Sequence, residues 1–149
     1  MRAIDDPITF TVLDEIRVIE QLATGRLQRA LPHGLELSQF AVLNQLALSG
    51  GEKSPAQLAR AFQLTKGAMT NTVKRLQARG LIRVRDDAAD GRRKLISVTE
   101  AGRAVREDAV AALTPVFGGI AAGVGREPLR EMLPLLRGLR VHLTETERR

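Results

Sequence analysis

The sequence predicts a mainly α-helical chain with one small β-hairpin, and three observations carry that prediction. Apolar residues recur at steps of three and four through most of the chain, which is the helical period. That period changes to two once, at Ile82 and Val84, where Arg83 and Arg85 alternate with them. Capping residues stand ahead of the helical stretches and glycine stands after several of them.

The first helix is predicted from Pro7 to Leu31, where Ile8, Val12, Ile16, Ile19, Ala23 and Leu27 form one stripe, with Asp6 as N-cap and Pro7 in the first helical position. Leu13, Val18 and Leu22 widen the stripe beyond the needs of one packing partner, so part of it is expected to meet a second subunit. Pro32-His33-Gly34 breaks this helix. Ser38 is the expected cap of a second one, carrying Phe40, Leu43, Leu46 and Ala47 and ending at Ser49-Gly50-Gly51.

Ser54, Pro55 and Gln57 form a capping box for a short third helix with Leu58, Ala59 and Phe62. After the tight connection Gln63-Leu64, Thr65 caps a fourth helix that runs to about Arg79, with Gly80 as its stop. Met69, Val73 and Leu76 share its inner face, while a rotation of about 100° per residue puts Gly67, Asn71, Lys74, Arg75 and Ala78 on the other side and Thr70 on the flank. The hairpin follows, with a turn-rich Asp86 to Gly91 and a second strand through Arg92-Arg93-Lys94 to Val98. Thr99 caps a fifth helix toward Phe117, expected to be interrupted near Thr114-Pro115 and ended by the glycine-rich passage from Gly118 to Gly125. A last helix starts near Glu127-Pro128, carries Leu129, Met132, Leu133, Leu136, Leu139 and Leu143, and is expected to kink at Pro134.

A chain of 149 residues suits one domain, possessing a globular 44% of hydrophobic and 27% of charged residues. Aromatic residues are only 3%, which argues against a base-stacking platform for single strands or RNA. Zero cysteines exclude disulfides, thiol chemistry and thiolate metal sites, and agree with a reducing compartment. The segment Met1 to Phe10 lacks the pattern of a signal peptide, and no apolar stretch approaches the ~20 residues that span a bilayer, so a soluble, cytoplasmic protein is expected.

The net charge of +6 is unevenly placed: from Lys53 to Lys94 eleven basic residues face three acidic ones, a local +8, and the remainder carries −2. Such a density on a short segment attracts a polyanion, usually nucleic acid. The same segment holds a helix, a short turn, a second helix and a two-stranded wing with a basic loop, which is the order of parts of a winged helix-turn-helix. The fold class is therefore a winged helix-turn-helix over residues 35–99 with a helical dimerisation region from both chain ends, residues 6–31 and 100–146, within a single domain 1–149.

The chemistry assigns candidate roles. The N-termini of the third and fourth helices, at Ser54 to Gln57 and Thr65 to Ala68, offer backbone N–H groups to phosphates, with Lys66 adjacent and Gly67 permitting close approach. Thr70 and Asn71 can hydrogen-bond base edges or phosphates in the major groove, and Lys74 and Arg75 can reach the flanking backbone or a guanine. At the wing, Arg92 is the candidate for minor-groove insertion, beside Arg93 and Lys94, with Asp90 placed to orient it through a salt bridge.

The stretches Ser38-Gln-Phe-Ala-Val-Leu, Leu64-Thr-Lys-Gly-Ala-Met-Thr, Arg75-Leu-Gln-Ala-Arg-Gly-Leu-Ile-Arg and Asp90-Gly-Arg-Arg-Lys-Leu, with Val98-Thr-Glu-Ala-Gly102, resemble the MarR family of bacterial transcriptional regulators from about Leu35 to Gly102. That resemblance implies a homodimer built from the first and last two helices, a pseudo-palindromic operator, repression of nearby genes, and release by a small phenolic or aromatic ligand. It implies no enzymatic activity and no cofactor. Members that sense oxidants use cysteine, and zinc-sensing members use clustered histidines and carboxylates; this chain has no cysteine and two separated histidines, His33 and His142. Pro115, Gly118, Gly119 and Pro134 predict a shorter or bent dimer scaffold.

Two other classes fit parts of the pattern. A non-specific architectural DNA-binding protein would share the charge, but the uneven polar face of Gly67, Thr70, Asn71 and Lys74 suits base reading better than a uniformly basic strip does. A winged helix used for protein contact alone leaves the local +8 without a purpose. An enzyme finds no catalytic constellation, with no cysteine, isolated histidines and no glycine-rich phosphate loop.

Overall fold

A computed structural model describes residues 4–62 and 64–147; Met1 to Ala3 of the N-terminal segment, Gln63 of the predicted connection, Arg148 and Arg149 lie outside the described residues. The chain divides into two compact units, Met1–Leu113 and Thr114–Arg149.

In the first unit, α1 spans Pro7–Ala30. The Asp6 carboxylate caps it by accepting the Thr9 N–H at 3.1 Å and the Thr9 hydroxyl at 2.6 Å. Those bonds favour the ionised form and hold the Asp6 pKa below its ordinary value. No residue of α1 is buried, and Ile8 and Leu22 are 73% and 62% exposed. Only its C-terminal end, at Leu27 and Ala30, packs on the unit's core.

The second helix, α2 (Leu37–Ser49), starts two residues earlier than a Ser38 cap predicts, and Ser38 is not its cap. The N-cap position is Glu36, whose N–H donates to the side-chain carbonyl of the buried Gln39 at 3.0 Å. Gln28, from α1, accepts the Leu37 N–H and donates to the Leu35 carbonyl, both at 2.9 Å. Two glutamines thus hold the N–H groups of Glu36 and Leu37 at the helix entry. Gly50 ends the helix with φ 65°.

The short α3 spans Pro55–Phe62 and α4 spans Lys66–Ala78. Both caps form as predicted. Ser54 Oγ accepts the Gln57 N–H at 3.2 Å while Gln57 Oε1 accepts the Ser54 N–H at 2.8 Å, and Thr65 Oγ1 accepts the Ala68 N–H at 3.2 Å. Met69, Thr72, Val73 and Leu76 are the buried face of α4. Strands β1 (Ile82–Asp86) and β2 (Lys94–Val98) pair antiparallel, with Ile82 opposite Val98 and Asp86 opposite Lys94. Arg92 and Arg93 belong to the turn rather than to the second strand. A bridge that the sequence did not announce joins Lys53 to Ile96, whose backbones exchange hydrogen bonds at 3.0 and 2.8 Å.

The core of this unit draws on each of these elements: Leu35, Val42, Leu43, Leu46, Leu58, Met69, Leu76, Ile96, Ala109 and Leu113 are almost completely buried. The fifth helix, α5 (Glu100–Val124), enters it at Gly102, Ala109 and Leu113. Thr99 caps it through the Gly102 N–H at 3.0 Å, and its own N–H and hydroxyl bind the carbonyls of Leu81 and Gly80 at 3.1 and 2.8 Å. Gly102 is where the end of α4, the wing and α5 meet: a β-carbon there would sit 2.0 Å from the Leu81 oxygen.

The second unit holds the last turns of α5 and the helix α6 (Arg126–Glu147). Neither the interruption expected near Thr114-Pro115 nor the glycine-rich ending of α5 occurs, since the helix continues through Gly118, Gly119 and Gly123 to Val124. Each helical glycine costs about 1 kcal/mol relative to alanine and proline removes one donor, but neither blocks a helix that its neighbours favour. The stop is Gly125, at φ 96°. In α6, Pro134 lies inside a helix of 22 residues, as expected. No residue of α6 is buried, and Leu135 is 74% exposed. By length and composition α5 could span a membrane, contrary to the expectation of no such stretch. Its first half instead packs within the first unit, where Arg106 donates twice to Asn44 Oδ1, at 3.0 and 2.9 Å.

Candidate nucleic-acid interface

Three elements of the first unit converge on one open concavity of about 620 Å³. From α3 and its cap come Ser54, Pro55, Ala56, Gln57 and Arg60; from α4, Lys66 and Thr70; from the wing, Asp90, Arg92, Arg93 and Lys94. Eight of the residues singled out in the sequence are therefore brought together. The other five, Thr65, Gly67, Asn71, Lys74 and Arg75, are exposed on or beside the adjoining surface of α4.

The arrangement follows from local sequence. The buried stripe of α4 fixes its rotation, which turns Gly67, Asn71, Lys74 and Ala78 outward. Thr70 is exposed, and its hydroxyl donates to the Lys66 carbonyl at 2.7 Å, which leaves oxygen lone pairs as acceptors. Thr65 takes up the Ala68 N–H, so the N–H groups of Lys66 and Gly67 are left without an intrahelical acceptor. Two N–H groups at a helix N-terminus suit an anion.

At α3 the structure corrects the sequence reading. Ser54 and Gln57 spend their backbone N–H groups on each other's side-chain oxygens, and Pro55 has no N–H, so among the backbone N–H groups there only that of Ala56 is left over. Ser54 is also buried. These residues orient α3; the cation it contributes is Arg60, which lies inside the basic segment but shows no local sign of its role.

The wing is stiffened by its own acids. Asp90 Oδ1 accepts the Arg92 N–H at 3.1 Å and its carbonyl accepts the Arg93 N–H at 2.9 Å. Asp90 thus fixes the Arg92 main chain, an Asx turn, in place of the expected salt bridge to its guanidinium. Lys94 pairs with Asp86 across the strands. Arg85 forks onto Glu52 at 2.7 and 2.5 Å, tying the wing to the connection before α3. The Arg85 hydrogen bond is the main cause that holds the Glu52 pKa below its ordinary value, and the same bond raises that of Arg85.

Four cations of the basic segment are therefore occupied within the chain: Arg75 by Glu36, Arg79 by the His33 carbonyl and Gln39, Arg85 by Glu52 and Lys94 by Asp86. Among the described residues the segment's other seven cations have no ion-pair partner; Arg60, Lys66, Lys74, Arg92 and Arg93 border the concavity or the outer face of α4, while Lys53 and Arg83 do not line the concavity. His33 faces Asp108 at 2.7 Å.

The chain is similar to known proteins. A model of the MarR family matches residues 33–93. The transcriptional regulator HosA of Escherichia coli O127:H6 is 33% identical over 96 residues, 64% of this chain and 70% of the relative. The crystal structure of a probable transcriptional regulator from Pseudomonas aeruginosa superposes with a TM-score of 0.78 at 30% identity, covering 91% of this chain and 98% of that one. Bordetella bronchiseptica BpsR, described for regulation of its DNA binding by 6-hydroxynicotinic acid, gives a TM-score of 0.78 at 26% identity over 87% and 98% of the two chains.

Proposed function

The chain belongs to the MarR family of transcriptional regulators, and on that premise we propose that it acts as a homodimeric, cytoplasmic repressor of a pseudo-palindromic operator, without enzymatic activity, released by a small aromatic acid or phenol. The single observation that carries the DNA reading is the convergence of unpaired Arg60, Lys66, Arg92 and Arg93 around one concavity beside the polar face of α4. In this reading α4 enters the major groove. Gly67 allows close approach, Thr70 and Asn71 meet base edges, and Lys74 and Arg75 meet the flanking backbone. The first-turn N–H groups of α4, capped by Thr65 and flanked by Lys66, hold a phosphate. Ser54 and Gln57 set the angle of α3, and the Asp90 turn presents Arg92, with Arg93 and Lys94 behind it, to the minor groove.

The dimer is supported by apolar faces that each unit leaves uncovered: Ile8, Ile19 and Leu22 on α1, and Leu129, Leu133, Leu136 and Leu143 on α6. Patches of this kind on a small chain mark a protein interface. Two-fold symmetry would place the two α4 helices about one DNA turn, ~34 Å, apart. The ligand class is supported by BpsR, whose DNA binding responds to a hydroxylated aromatic acid. Competition binding tests the reading: promoter DNA upstream of its own gene should outcompete random duplex, and Arg92→Ala should cost about 1–3 kcal/mol of that affinity with the dimer intact. Equal competition by random DNA at physiological salt refutes it.

A further inference from the structure

Arg75 differs from Lys74 beside it. Its guanidinium forks onto the Glu36 carboxylate, Nη1 to Oε2 at 2.7 Å and Nη2 to Oε1 at 2.6 Å, across 39 positions of sequence. The two-bond geometry is the one a guanidinium makes with a phosphate. Both side chains remain about half exposed, at 49% and 43%, so the pair lies open to an incoming anion.

Glu36 is not a mobile acid that drifted into reach. Its N–H is held by the buried Gln39, the next residue's N–H by Gln28, and Arg79, one turn beyond Arg75, donates to the His33 carbonyl at 2.6 Å. The connection between α1 and α2 is thereby fixed against the flank of α4, with the carboxylate presented to Arg75. Asn71 lies one turn before Arg75 on the same side of the helix, so this guanidinium borders the surface assigned to DNA.

We propose that Glu36 is an affinity-setting residue for DNA binding: it occupies Arg75 as an intramolecular stand-in for a phosphate, and the operator backbone must displace it to gain the Arg75 contact. The inference rests on the docking of α4 described above. In the free protein the pair is closed; in the complex the guanidinium exchanges one oxygen fork for another, and Glu36 is left to solvent. The exchange lowers affinity for every duplex but weighs most on those whose backbone does not meet Arg75 squarely.

The test measures binding of the full-length dimer to an operator duplex and to a random duplex by fluorescence anisotropy over a range of salt. Removing the competitor with Glu36→Gln should tighten operator binding about two- to fivefold at low salt, the range spanned by exposed ion pairs, and the gain should shrink as salt screens the pair. Glu36→Asp keeps the charge but withdraws it by one methylene, so it should also tighten binding, which simple repulsion between Glu36 and DNA does not predict. In an Arg75→Ala background both gains should vanish. Unchanged or weaker binding by Glu36→Gln in a protein of normal melting temperature overturns the proposal, as does a gain that survives Arg75→Ala. If Glu36→Gln melts early, Glu36→Asp and its Arg75→Ala double variant decide the same question. A wild-type protein that does not prefer the operator refutes the docking itself, a different and recognisable failure.

Discussion

Replacing Gly102 with alanine tests how the wing is held to the recognition helix. The added β-carbon would lie 2.0 Å from the Leu81 carbonyl oxygen, 3.0 Å from its carbon and 2.9 Å from Val98 Cγ2. Two of those atoms are backbone, so relief requires α5 to move away by more than 1 Å, roughly the gap to ordinary contact at ~3.5 Å. Moving α5 strains the bonds of Thr99 to Leu81 and Gly80. Overpacking costs about 1–3 kcal/mol and a weakened hydrogen bond about 1 more, against a gain of about 1 from alanine's helix propensity. The net loss is about 1–3 kcal/mol, and a thermal melt should fall by about 4–12 °C, taking about 4 °C per kcal/mol for a chain of this size. Operator affinity should fall with it, because Leu81 leads directly into β1. The competing propensity term makes the sign decisive: a variant as stable as wild type, or more stable, refutes the close approach.

Arg60→Ala should reduce the salt dependence of binding by about 0.9 in the slope of log K against log salt, for operator and random duplex alike, because the contact is to phosphate; an unchanged slope removes Arg60 from the interface. Glu52 has a folded-state pKa below its ordinary value, so its contribution to stability is complete above the ordinary carboxylate range and is lost as pH falls through the lowered value. Urea midpoints followed from neutral to acid pH should therefore decline less steeply in Glu52→Gln than in wild type, and parallel curves contradict the Arg85 pairing as the cause.

What the sequence made legible was governed by near neighbours. Asp6, Ser54 with Gln57, and Thr65 cap helices through bonds three residues away, and the inner face of α4 follows from rotation alone. The start of α2 was misplaced because its partners, Gln39 and Gln28, compete with Ser38 and one of them comes from another helix. The glycines of α5 read as a stop because local propensity ignores the helix on either side. The ion pairs that decide which cations are free, Arg75 with Glu36 and Arg85 with Glu52, span 39 and 33 positions and appear only once the elements pack. Arg60 was missed for the same reason: nothing nearby in sequence shows that α3 turns it toward the wing.

The central claim is that this surface reads duplex DNA as a symmetric pair. Selection of bound sequences from a pool of randomised duplexes by the full-length protein measures that directly. The expected result is enrichment of an inverted repeat with half-site centres about 10 base pairs apart, one turn of the helix, and loss of the enrichment in Arg92→Ala. A pool that stays random, or a single motif without its inverted copy, contradicts it.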